Sequence, residues 1–72
     1  YDLPSPDDPA FDGAAARALL EAARVGETQL AERATGLYWG EPRLRPQVER
    51  LLAAAEQAGD ERLAQVARRY LG

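Results

Sequence analysis

The chain has no cysteine and no histidine. Without cysteine there is no disulfide framework, and the composition does not report a redox compartment. Without either residue a structural zinc is excluded, and so are an imidazole general base and a thiol nucleophile. The expectation is a domain with no metal and no cofactor, a carboxylate-bound calcium being the one remaining route to a cation. Lysine is absent too, so all 9 basic residues are arginine. That pattern, with the abundance of alanine, fits coding bias in a GC-rich bacterial genome; selection for bidentate contacts to carboxylate or phosphate is the alternative. Isoleucine is missing, and no segment alternates or gathers the β-branched and aromatic runs that strands prefer. No apolar run approaches the roughly 20 residues of a membrane span, and no signal-peptide pattern is present. No membrane partner is expected. Methionine is also absent, and the chain opens Tyr1-Asp2-Leu3. It therefore reads as an excised domain, a processed chain or the ordered part of something longer.

What is present is one small domain's worth of sequence. At 72 residues, a chain buries only about 60% of the surface that its unfolded form exposes. Acidic residues outnumber basic ones 12 to 9, for a net charge of -3. This disfavours nucleic acid as the main partner, because phosphate binding needs a basic face.

Residues 1–11 carry three prolines (Pro4, Pro6, Pro9) and read as an extended arm. Tyr1, Leu3 and Phe11 are its apolar side chains. Residues 12–72 read as a single helical domain. Asp12 is placed to cap a helix over Ala14–Val25, with Ala16, Leu19, Leu20 and Ala23 inward and Arg17, Glu21 and Arg24 on a solvated stripe. Gly26 either ends this helix or sits inside one long helix from Ala14 to Tyr38; the spacing from Leu19 to Leu37 allows both. If the break holds, a second helix spans Thr28 to Trp39 and buries Leu30, Ala31, Ala34, Leu37 and Tyr38. Gly36 near its end would allow close approach of another backbone. Gly40 to Pro46 is a turn, with Pro46 suited to the start of a third helix reaching Ala58. Val48, Leu51, Leu52 and Ala55 form its apolar face. Gly59-Asp60 is a stop followed by a cap, and a fourth helix, Glu61–Leu71, buries Leu63, Val66, Ala67, Tyr70 and Leu71. The fold class is all-α: four short helices as two antiparallel hairpins behind the arm.

The halves echo each other. Ala18-Leu19-Leu20 parallels Arg50-Leu51-Leu52, Gly26 parallels Gly59, Leu30-Ala31 parallels Leu63-Ala64, and Ala34 parallels Ala67. The spacing after the glycines is 33 (Gly26 to Gly59), and one residue must be inserted near Ala58 to align the segments before them. Such a period suggests stacked helical hairpins. The chain resembles tetratricopeptide-like repeats in its Gly-acidic turns, Gly26-Glu27 and Gly59-Asp60, in the small Ala31 and Ala64 that follow, and in Pro42. It departs from them in placing Leu19 and Leu52 where that family has a small residue. The resemblance implies peptide or protein binding.

Two local features point to a site. Tyr38 and Trp39 precede Gly40, and Arg43, Arg45 and Arg50 follow; aromatic residues and arginine are the material of interface anchors. Trp39 is read either as core or as a partner contact. Arg62, Arg68 and Arg69 form a second basic cluster. The acidic pairs Asp7-Asp8 and Asp60-Glu61 are explained by capping and solvation, and the lone Ser5 has no histidine to activate it. The expected function is therefore protein–protein interaction, not catalysis, with Tyr38, Trp39, Arg43 and Arg45 as the partner-binding residues. The partner is another protein or peptide, or a second copy of the chain. Homodimerisation and transcriptional regulation through the arginine clusters are the alternatives.

Overall fold

A computed structural model describes residues 3–72, and every described element is helical. Helix α1 spans Phe11–Arg24, α2 Thr28–Thr35, α3 Arg45–Ala58 and α4 Glu61–Leu71, with a 3-10 turn at Pro42–Leu44 before α3. Tyr1, one of the arm's apolar residues, lies outside the described residues. Among the described residues no helix is long and apolar enough to cross a membrane.

The start of α1 differs from the expectation, and the cause is local. Asp8, not Asp12, organises it: the Asp8 carboxylate accepts from the Ala10 amide at 2.8 Å, and the Phe11 amide donates to the Asp8 carbonyl at 2.9 Å. Such side-chain-to-backbone turns are what Asp supplies ahead of proline. The arm thus closes into turns ahead of the helix, Phe11 is drawn into the core, and Asp12 falls in the first turn, where a carboxylate suits the helix dipole.

Gly26 does break the chain. Its φ of +75° is left-handed and incompatible with a continuous helix. Gly59 repeats the geometry at +75°. Behind each glycine the same pair of hydrogen bonds closes the helix: Glu27 N to Ala22 O and Asp60 N to Ala55 O, both 2.8 Å, with Gly26 N to Ala23 O at 3.4 Å and Gly59 N to Glu56 O at 3.3 Å. These are Schellman closures. They pair Ala22 with Ala55, so the halves align at one spacing through the turn and no residue is inserted near Ala58. In that register Phe11 meets Leu44 and Ala15 meets Val48, all four buried.

Helix α2 stops at Thr35, short of Trp39. The buried Thr35 hydroxyl donates to the Ala31 carbonyl at 2.8 Å and accepts from the Leu37 amide at 3.1 Å, so it competes with the next helical bond. Gly36 follows at φ +72°, and a Cβ there would meet nothing within 4 Å, so it ends the helix instead of admitting another backbone. Helix α2 packs on α1 alone, whereas α1 also meets α3 and α4. Ala31 and Thr35 make that contact. Leu30, Ala34 and Tyr38, expected inside, are exposed.

The core is built by α1, α3 and α4 around Leu19, Leu20, Leu44 and Val48, which are fully buried. Buried alanines at positions 15, 16, 22, 55, 64 and 67 let the helices approach closely. Leu44, which the sequence places in a turn, is part of this core, whereas Leu52, on the apolar face expected for α3, is half-buried. Asp60 caps α4 as expected, its carboxylate accepting from the Leu63 amide at 3.1 Å. The radius of gyration is 11.2 Å, matching the value of about 11 Å for a compact chain of this length.

Candidate docking groove

The segment from Tyr38 to Arg45 crosses the ends of α1 and α4, and its side chains are mostly used to clasp them. Trp39 is half-buried and packs edge-on against Tyr70, ring centroids 4.9 Å apart and planes at 69°. Its amide donates to the Glu32 carboxylate at 2.8 Å. The buried Tyr70 hydroxyl donates to the Glu41 carbonyl at 2.9 Å. Burial, and then the Glu41 carboxylate, push the Tyr70 pKa up from the usual phenol value. Arg45 donates to the carbonyl of Leu71 at 3.1 Å and so closes the end of α4. Arg43 grips Asp12 in the first turn of α1, through Nε at 3.0 Å and Nη2 at 2.7 Å, and lies 5.9 Å from the Phe11 ring centre. The hydrogen bond and charge of Asp12 raise the Arg43 pKa further. Of the four residues singled out in the sequence, three thus have partners inside the chain. Tyr38 is 70% exposed and borders a shallow depression of about 220 Å³ with Glu32, Arg33 and Gly36.

A larger groove, about 400 Å³, lies between the last turn of α1 and the outer side of α4. Its apolar surface comes from Ala23, Val25 and Val66. Val66 is nearly covered, while Val25, in the turn after α1, is 68% exposed. Arg24, Arg62 and Arg69 stand around it with Glu21 and Gln65. Glu21 and Arg24 form a loose exposed pair at 3.4 Å, of the kind that contributes little. Arg62 and Arg69 have no ion-pair or side-chain hydrogen-bond partner among the described residues.

The structure regroups the arginines that the sequence had clustered. Arg68 turns away to pair with Glu56 on α3 at 2.9 Å. Arg24 arrives from α1, which no local reading of α4 predicts. The available signal was the spacing of Arg62, Val66 and Arg69, which share one side of a helix. The lining holds no hydroxyl, thiol or imidazole. It offers guanidinium donors suited to carboxylates, beside apolar area. No protein-family model, curated protein or solved structure matches this chain.

Proposed function

We propose that this chain is a protein-interaction module, a docking, adaptor or regulatory segment that seats part of another protein in the groove between α1 and α4. One contrast carries the reading. Arg43, Arg45 and Arg68 are engaged within the chain, whereas Arg62 and Arg69 flank an apolar strip and engage nothing described. Recognition surfaces combine such donors with covered apolar area. The matched turns at Gly26 and Gly59 support kinship with helical-hairpin repeats, a class that binds peptides and proteins.

The test is site-specific photo-crosslinking in the full-length protein in its native cells. The photoreactive side chain is placed at Val25, or at Glu49 on the exposed side of α3. Adducts with a second protein from Val25 and none from Glu49 are expected. Equal adducts at both positions would remove the groove from the reading. A second reading, homodimerisation, is favoured by the exposure of Leu30 (50%) and Tyr38 (70%). Sedimentation equilibrium decides it: a monomer at micromolar concentration rules it out.

A further inference from the structure

We infer that the occupant of this groove is an acidic peptide segment carrying two carboxylates about 10 Å apart, the rise of seven helical residues from Arg62 to Arg69, with an apolar side chain between them. The inference rests on the docking role proposed above. Charge is the first argument. The chain as a whole is negative, at -3, yet this groove sets three arginines against one glutamate. The position of Arg62 is the second. It stands in the first turn of α4 beside Asp60 and Glu61, where the helix dipole disfavours a cation, and among the described residues no carboxylate forms an ion pair with it. An incoming carboxylate gains from both the guanidinium and the helix dipole. The floor is the third: Val66 lies between the two arginines on the helix and Val25 faces it across the groove, so the strip between the charges is apolar. In polyproline II geometry, with three residues per turn, residues three apart share one face at about 9 Å, so an acidic–apolar–x–acidic stretch in that conformation spans both guanidiniums. Nucleic acid fits less well. The groove offers no aromatic surface for base stacking, and Glu21 opposes a run of phosphates.

The probes are short fluorescein-labelled Gly/Ser peptides containing Glu-Leu-Ser-Glu, the same peptide with both Glu replaced by Gln, and a single-stranded oligonucleotide of similar length. Binding is read by anisotropy and by amide shifts of the 15N-labelled protein. The Glu peptide is expected to shift the amides of Val25, Arg62, Val66 and Arg69 and to bind at least about tenfold more tightly than the Gln peptide, the difference of one charge-assisted hydrogen bond. Arg62→Gln with Arg69→Gln removes that preference; Arg33→Gln with Arg50→Gln, an equal charge change elsewhere, keeps it. Equal binding of both peptides at the groove overturns the acidic occupant and leaves the docking role standing. Tighter binding of the oligonucleotide through the same arginines overturns it in favour of nucleic acid. Absence of groove shifts with every probe at millimolar concentration removes both the occupant and the groove.

Discussion

Three leucines test the architecture most directly, because sequence pattern and structure rank them differently. Leu52 lies on a regular apolar face, Leu30 belongs to the second helix, and Leu44 follows a proline in what reads as a turn. In the structure Leu44 is fully buried, Leu52 is half-buried and Leu30 is 50% exposed. Leu44 sits where the 3-10 turn meets both α1 and α3, so neighbours on two sides resist collapse into the space that truncation leaves. Leu44→Ala loses the transfer free energy of a covered leucine, about 1.5–3 kcal/mol, plus a cavity contribution, for about 3–4 kcal/mol in all. A chain of this length has roughly 4–11 kcal/mol of stability, so the variant is close to unfolding. Leu52→Ala is expected to cost about half as much, near 2 kcal/mol. Leu30→Ala is expected to change stability by less than about 1 kcal/mol, since half the side chain already meets water and alanine favours the helix. Urea titration followed by helical circular dichroism, and by the fluorescence of Trp39, measures all three. With a slope of about 1 kcal/mol/M, the Leu44 variant shifts its midpoint by about 3 M or has no folded baseline. A loss at Leu30 equal to that at Leu44 would refute both the burial order and the placement of α2.

Two further outcomes follow from the turns and from the clasp at α4. Gly59→Ala and Gly26→Ala should each cost about 1 kcal/mol, the strain of a left-handed alanine, because the space around both is open; a difference above about 0.5 kcal/mol in urea unfolding would show that the turns are not equivalent. Tyr70→Phe should lose about 1 kcal/mol near neutral pH through its bond to Glu41. The folded phenol has a raised pKa, so its contribution is fully present below the unfolded value of about 10 and is lost as pH climbs through the folded value. The gap between wild type and Tyr70→Phe should therefore narrow above about pH 10; a constant gap in urea midpoints up to about pH 11 would refute the assignment.

Much of the fold is legible in the residues, because the signals that define it are local. Gly59-Asp60 marks a stop and a cap, and both function as read. Val48, Ala55, Leu63, Val66 and Tyr70 fall on the buried faces that their spacing specifies. What pattern could not supply was set by tertiary contact. Thr35 ends α2 through its own hydroxyl, a choice that periodicity does not encode. Leu30 and Ala34 keep apolar spacing, yet no element arrives to cover them. The candidate site failed to read through for the same reason. Arg43 and Arg45 look available in sequence, and only the approach of Asp12 and of the last carbonyls of α4 engages them. Conversely, the groove needs Arg24 from α1 and Val25 from the turn after it beside Arg62 and Arg69 from α4, a juxtaposition that exists only once the helices pack.

Among the helices, α2 packs on α1 alone, and outside that contact its Glu32 carboxylate holds the Trp39 amide. At 8 residues it is far below the ~12–15 that a helix needs to persist alone in water, so its hydrogen bonds survive only while Ala31 and Thr35 stay seated. Undocking and unwinding are then one event. The stretch from Thr28 to Thr35 opens as a tethered loop while α1, α3 and α4 keep their shared core, with Leu37 and Trp39 packed against it. In hydrogen-exchange terms this stretch is a separate cooperative unit at the low end of the molecule's stability scale. Its amides are expected to exchange first, and a protease to enter there first.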